Sequence, residues 1–471
     1  MTASMILPDA VIAAGPSTRR RPSGAALAAA LFAAVLIGRS SNAAPNDVAA
    51  LGPVIGHVDE HSARVWFRPA QADRHHRAWR CGAVASDGRA AAIGEATPDP
   101  DHDFTMVFDL DGLLPGTRYE VEVAGPAVES PHRAFFTTAP PVSVPSRVVL
   151  GFGSCAASKP EAIWDRILEE GCEGFVFLGD TPYIDTDRLV LARERHRAFL
   201  APPEIARLLA SMPTWWTWDD HDFGVNDGHG DFHGKHVART AFTEYRANAT
   251  FGQQLDGTPS TDRFGGGRGI HTSFRRGPIE VFLLDPRWFS RTEPSWADPD
   301  KPTCLGERQW AWLRRSLRES DAPFKVLATG MIWTDKGNAE LDDWHTYAHE
   351  RDAIFDFIAK ERIPGVVLVG GDIHVSQAMR HRDRVGYDLW HFVTSPLHEK
   401  TIPSLDAPHP DKVFSAAEPN TFLKLTADST GREPTLRAEW VALDGRRLFE
   451  TRLSASDLGW PAASHEQAPD S

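Results

Sequence analysis

Five short polar clusters in the middle of this chain carry residue types able to do chemistry, and each follows directly on an apolar run. They are Gly153-Ser154-Cys155, Gly179-Asp180-Thr181-Pro182-Tyr183, Asp219-Asp220-His221-Asp222, Asp285-Pro286-Arg287 and Gly371-Asp372-Ile373-His374. Carboxylates brought to one point repel one another, and their pKa values climb unless a cation holds them. A metal is therefore the economical reading of the set. The donors are carboxylate, imidazole, thiolate and phenolate, a mixture that suits iron, manganese or zinc, with an all-oxygen subset that suits calcium. Singly, each cluster is weak: Gly-Asp after a strand is often a capped turn, and Cys155 and Tyr183 would by default be core residues. Five such clusters at five strand ends carry more weight than any one.

Those strand ends come from an alternating pattern. Apolar runs at 148–152, 175–178, 214–218, 324–328 and 366–369 read as buried strands. Between them lie helical spacings: Ile163, Trp164, Ile167 and Leu168 after a Lys159-Pro160-Glu161 start, then 205–209, then Trp310, Leu313 and Leu317, then 354–358. The alternation predicts an α/β domain with mixed sheets. Ligands bind such sheets beyond the C-terminal ends of the strands, so the five clusters are expected at one edge. Residues 421–452 alternate around an Asp444-Gly445 turn and are expected to close the sheet edge.

Residues 51–138 show short alternating runs and no helical period, which predicts an all-β module. Its Leu-x-Pro-Gly-Thr-x-Tyr stretch, ending in Tyr119, resembles the tyrosine corner of fibronectin-type sandwiches. The proline-rich 139–145 reads as a stiff linker. The expected organisation is a signal peptide at 1–43, a β-sandwich at 44–140, and a catalytic domain with its closing strands at 146–460.

Composition narrows the function classes. The 471 residues include 64 Asp plus Glu against 50 Lys plus Arg, a formal charge of −14, which argues against a nucleic-acid scaffold built on a basic stripe. With 42 % apolar and 24 % charged residues, wholesale disorder and a polytopic membrane protein are excluded. At the N-terminus, Arg19-Arg20-Arg21 precedes an apolar run at 25–38 and the small residues Ser41-Asn42-Ala43. That run falls short of the roughly 20 residues that span a bilayer, so export is expected, to the periplasm or outside, with no stable membrane span after cleavage. The arginines resemble a twin-arginine signal, although Pro22 and Ser23 stand where that signal prefers bulky apolar residues, and general secretion stays open. Four cysteines, at 81, 155, 172 and 304, are too few for a disulfide framework, and any pairing is left open.

The same clusters carry a resemblance. Gly153-Ser154-Cys155, Gly179-Asp180-x-x-Tyr183, the run from Trp218 through Asp219-Asp220-His221 to Asn226-Asp227-Gly228, Leu284-Asp285-Pro286-Arg287, Leu305-Gly306-Glu307-Arg308-Gln309-Trp310 and Gly371-Asp372-x-His374 resemble the alkaline phosphatase D family of metallophosphoesterases. Trp344 with Glu350-Arg351, and Thr394-Ser395-Pro396-Leu397, agree. The resemblance covers roughly 147–397. It implies a four-layer α/β/β/α metallophosphoesterase domain, often preceded by a sandwich, with a di- or trinuclear site of iron plus calcium. It also implies an exported phosphoesterase, acting on small phosphoesters or phospholipids.

Carried over residue by residue, the resemblance makes Asp180 a bridging carboxylate. Cys155, Tyr183 and His374 would complete an iron-like centre, and Asp220 and Asp372 would hold the second cation. His221 would donate a proton to the leaving oxygen or stabilise developing charge. Asn226 would contact a phosphate oxygen; Arg287 would do the same, or else pair structurally with Asp285. The chemistry implied is in-line attack by a metal-activated hydroxide. No Gly-x-Ser-x-Gly elbow supports a serine mechanism. One departure stands out: Ala328-Thr329-Gly330-Met331-Ile332-Trp333 supplies no histidine where the wider superfamily places a ligand, which implies a looser second metal or one completed by water. His229, His233 and His236 either reach the site or form a solvated loop. Two other readings are a phospholipase D-like diesterase, favoured by a bulky apolar entrance, and an inactive surface binding protein, against which the intact clusters count.

Overall fold

Seven strands with alternating burial open the described chain: β1 (Leu51–Val58), β2 (Ser62–Arg68), β3 (Trp79–Ala85), β4 (Ala91–Ala96), β5 (Met106–Asp111), β6 (Arg118–Ala124) and β7 (His132–Thr137). The computed structural model describes residues 49–460 except 76–77, 127–129, 160, 255, 265–266 and 339, so the expected signal at 1–43 and Pro160 lie outside the described residues. The strands form two antiparallel sheets, ordered β1-β2-β5 and β4-β3-β6-β7. Their inward residues share one core, with Val65, Phe67 and Phe108 from the first sheet and Trp79, Val121 and Phe136 from the second. The Tyr119 hydroxyl accepts the Leu114 N–H at 2.8 Å, which ties β6 back to the preceding turn.

The chain then alternates. β8 (Arg147–Gly153), α1 (Ile163–Glu169), β9 (Gly174–Leu178), α2 (Leu189–Leu200), α3 (Pro203–Leu209), β10 (Thr214–Thr217), α4 (Asp220–Phe223) and α5 (Lys235–Tyr245) come first. They are followed by β11 (Thr272–Arg276), β12 (Ile279–Leu283), α6 (Gly306–Glu319), β13 (Phe324–Ala328), α7 (Ala348–Glu361), β14 (Val366–Gly370), β15 (Ser376–His381), β16 (Leu389–Val393) and β17 (Lys412–Ala416). β18 (Thr421–Asp428), β19 (Thr435–Ala442) and β20 (Arg447–Ser454) end it. Helix α1 begins after Ala162, a few residues beyond the expected Lys159 start.

Two mixed sheets result. One runs β10-β9-β8-β18-β19-β20, with β8 to β10 parallel and β18 to β20 antiparallel; the other runs β11-β12-β13-β14-β16-β15-β17, with β12, β13, β14 and β16 parallel. Side chains along β8 alternate between two cores. Val148, Leu150 and Phe152 join Ile279, Val281 and Val326 of the second sheet, whereas Val149 joins Trp164, Phe199 and Leu208 of the helices. Trp310, Leu313 and Leu317 of α6 belong to the larger core, as their spacing predicts.

The last three strands do more than close an edge. β18 lies beside β8 in the middle of its sheet, antiparallel from Leu423↔Phe152 to Asp428↔Arg147, and of these three strands β20 alone is at an edge. Six of the eight β18 residues are buried, the mark of a strand covered on both faces. The Trp-rich β10 is wholly buried, with Trp216 stacked on Phe177 at 3.7 Å. All four cysteines are buried free thiols. Among the described residues, no helix is long and apolar enough to cross a membrane.

Candidate metal centre

Parallel strands of equal register deliver the clusters. β8, β9 and β10 end in step, Gly153 opposite Phe177 and Leu178 opposite Thr217, so Cys155, Asp180 and Asp219-Asp220-His221 emerge together. Asp372 and His374 follow β14 of the other sheet, and the Asp285-Pro286-Arg287 loop follows β12. The clusters thus converge from two sheets rather than along one edge. Close packing at these ends is enforced by glycine: a Cβ on Gly179, whose φ is +97°, would lie 2.4 Å from the Asp219 nitrogen. Cys155, Asp180, Asp372 and His374 themselves sit at φ between 51° and 71°, a region costly to side-chain-bearing residues and concentrated at functional sites.

Donor atoms meet in overlapping groups, each within 4.8 Å: Cys155, Asp180 and His374; Asp180, Asp220 and His221; Asp219, Asp220 and Asp372; and Asp220, Asp227 and Asp342. Asp180 belongs to the first two groups and Asp220 to the last three. The Tyr183 hydroxyl lies 3.0 Å from His374 Nε2, and Cys155 Sγ lies 3.6 Å from Asp180 Oδ2. All the expected metal donors are therefore brought together, His221 beside them. Asn226 is exposed, on the loop whose next residue, Asp227, donates its N–H to Asp220 Oδ2 at 2.7 Å.

Arg287 is buried and faces acids. Its Nε donates to Asp219 Oδ1 at 2.7 Å and its Nη1 to Asp342 Oδ1. The pair with Asp285 is not formed. The Asp285 carboxylate instead accepts from Trp218 Nε1 (2.7 Å) and from the backbone N–H groups of Ile270, Arg287 and Trp288, which fold the loop. His233 is exposed and lies 2.7 Å from Asp187, and His236 packs edge-on against Trp288; neither joins a donor group.

The electrostatics state what is lacking from the side chains alone. Burial first, and then Asp220 and Cys155, push the Asp180 carboxyl well above its ordinary range. Burial takes Asp372 to about 7 even though Lys336 opposes it, and takes the Cys155 thiol to about 12. Burial holds His374 down at about 3, as a neutral imidazole with a lone pair to offer. Asp180 Oδ1 and Asp219 Oδ2 are buried with no hydrogen-bond partner among the described residues. Orphaned buried carboxylate oxygens beside a thiol, a phenol and a neutral imidazole are the donor set a transition metal and a second cation require, so the residues fit a metal centre.

Several residues at the site lie outside the expected donor and catalytic set. Asp222 accepts the N–H groups of Asp180, Thr181 (3.1 Å) and Asp219 (3.0 Å), clamping two loops. Asp185 Oδ1 lies 2.5 Å from His221 Nδ1. His398 Nε2 is 3.2 Å from the Tyr183 hydroxyl, and Lys336 Nζ is 3.2 Å from Asp372 Oδ2. Only Asp222 lay inside a recognisable run. Where the histidine is missing, a Cβ on Gly330 would come within 2.6 Å of Asp219 Cβ, so Asp219 and its arginine take up the adjoining space.

Comparison with known proteins bears on the fold and the family. The alkaline phosphatase D of Bacillus subtilis (strain 168) is 27 % identical over 206 residues, 40 % of this chain and 35 % of that protein, so the match spans about a third of the relative's length. A solved structure of PhoD superposes with a TM-score of 0.68 at 17 % identity, covering 91 % of this chain and 94 % of that one. A purple acid phosphatase from yellow lupin (Lupinus luteus) seeds superposes at 0.63 and 13 % identity, covering 89 % and 78 %. The chain thus shares the fold of PhoD and of that purple acid phosphatase. The sequence model of the PhoD-like phosphatase family matches residues 150–431, which include every donor named above, and the chain belongs to that family.

Proposed function

We propose that the protein is an exported, metal-dependent hydrolase of phosphomonoesters, phosphodiesters or both. The observation that carries this reading is Asp180, a buried carboxylate shared between two donor groups with one oxygen unpartnered. Cys155, Asp180, Tyr183 and His374 would hold an iron-like cation, and Asp220 and Asp372 would hold a second, calcium by preference, with manganese or zinc as alternatives. Metal ions held by these residues would supply a water of lowered pKa and polarise the phosphoryl oxygens.

The chain's own residues do the rest. Asp185 fixes His221 through Nδ1, leaving Nε2 to give a proton to the departing ester oxygen. Asn226, on the exposed rim, offers its amide to a phosphoryl oxygen. Arg287, already shared between Asp219 and Asp342, keeps those carboxylates in register and is a positioning residue. We further read the fold as four-layer α/β/β/α at 146–460 behind a fibronectin-like sandwich at 44–140, supported by the separate cores and the Tyr119 corner. Export, to the periplasm or beyond, is supported by the arginine-led apolar segment within 1–43. The tryptophans of β10 are buried and so give a lipid-headgroup reading no entrance.

The test is turnover of p-nitrophenyl phosphate and bis-p-nitrophenyl phosphate by purified protein, with and without calcium and after chelation. Chelator-sensitive hydrolysis of either substrate is expected, and the ratio assigns monoester or diester work. Reconstituted protein inactive on both contradicts the proposal.

A further inference from the structure

We propose that the Lys336 ammonium stands in for a third cation, so that the acid pocket takes one metal ion fewer than its carboxylates alone would hold. The inference rests on reading the pocket as a metal centre. The lysine side chain is 3 % exposed, and its Nζ lies 3.0 Å from Glu340 Oε2, 3.3 Å from Asp342 Oδ2 and 3.2 Å from Asp372 Oδ2. Its backbone is anchored too: the Lys336 N–H donates to Asp343 Oδ2 at 3.1 Å. The ammonium is therefore built into the pocket rather than drifting over it.

Asp342 decides the count. It completes the last of the four donor groups, with Asp220 and Asp227, beyond the two cation positions proposed above. Yet its Oδ2 is engaged by Lys336 and its Oδ1 by Arg287, so both oxygens already face fixed positive charge. The other positions differ. Among the described residues, Asp180 and Asp219 each keep a buried oxygen without a hydrogen-bond partner, open to a metal. An ion entering beside Asp342 would have to displace a buried ammonium or lie against it, and like charges at contact in a low-dielectric pocket repel strongly. Lys336 also holds one oxygen of Asp372, which couples the second metal position to Lys336 and through it to Asp342.

Wild-type, Lys336→Met and Lys336→Arg proteins, equilibrated with iron and calcium and freed of loose ions, are compared by elemental analysis. The expected result is one further ion per chain in Lys336→Met, with Lys336→Arg matching wild type. Equal, non-zero metal content in Lys336→Met and wild type overturns the proposal alone; metal-free protein in all forms overturns the metal-centre reading with it. Should Lys336→Met fail to fold, anomalous diffraction from wild-type crystals soaked in terbium decides the matter. Nζ still bonded to Asp342 and Asp372, with no ion at Asp342, is expected. An ion bound by Asp342 with the lysine displaced overturns it.

Discussion

The Tyr183 phenol lies between two imidazoles, and each tautomer follows from what the other ring nitrogen meets. His374 Nδ1 faces the Lys400 carbonyl at 3.1 Å and so carries the proton, which leaves the Nε2 lone pair turned to the site. His398 is the reverse: its Nδ1 accepts the Lys400 N–H at 3.0 Å, so Nε2 carries the proton and donates to the Tyr183 oxygen. A phenolate ligand would lean on that bond. Replacing His398 with Leu is expected to cost about 10–100-fold in activity or metal affinity, the usual effect of losing a partner of a ligand, measured as kcat/KM beside iron content. His221→Asn should lower kcat by about 10²–10⁴ while iron content holds, because it removes a proton donor and no ligand of the iron-like centre. Unchanged turnover would strike His221 from the mechanism. His374 was legible because it stands two residues from Asp372 in one run. Asp342, Lys336 and His398 were not, since each acts alone from a loop and no spacing marks it.

Elements explain why the legible runs read as they do. Gln309 of α6 pairs with the backbone of Asp285 through both ends of its amide, at 2.8 Å each way, and so locks the Asp-Pro-Arg loop to the helix. The buried Glu350 of α7 accepts from Ser295 and Thr303 hydroxyls at 2.6 Å and from the N–H groups of Cys304 and Leu305 at 3.0 Å. Family words that look catalytic thus include structural clamps. Period-2 and helical patterns placed the strands and helices around the site, but two features lay beyond them. A pattern of alternating burial cannot say which strand will be its neighbour, so β18 was expected at the edge and lies inside. Nor can it assign two apolar strands to different sheets, so one edge was expected where two sheets meet. The tight seam at Gly179 gives the element-scale prediction. Gly179→Ala puts a methyl against the Asp219 backbone at positive φ and should destabilise the fold by about 2 kcal/mol or more while lowering metal occupancy, read by denaturant unfolding and elemental analysis.

At the scale of the whole molecule, Asp103 joins the N-terminal strands to the α/β part. Its carboxylate meets Arg68 of β2 at 3.1 Å, Arg197 of α2 at 2.6 Å and the Tyr245 hydroxyl of α5. Burial pushes this carboxyl up, but Tyr245, Arg68 and Arg197 outweigh it, and it rests below its ordinary value of 3.8. A depressed folded value stabilises above the unfolded pKa, and that stability is lost as pH falls through the folded one. Asp103→Asn should therefore cost roughly 3 kcal/mol at pH 7, with the gap to wild type closing only below about pH 4, in urea unfolding across pH. A gap independent of pH would contradict the ion-pair account. On the proposed function, the converged acids share cations through Asp180. Elemental analysis of wild-type and Asp180→Asn protein prepared together tests this: stoichiometric metal is expected in the first and loss from both positions in the second. Metal-free wild type, or an Asp180→Asn protein with full metal content, would contradict it.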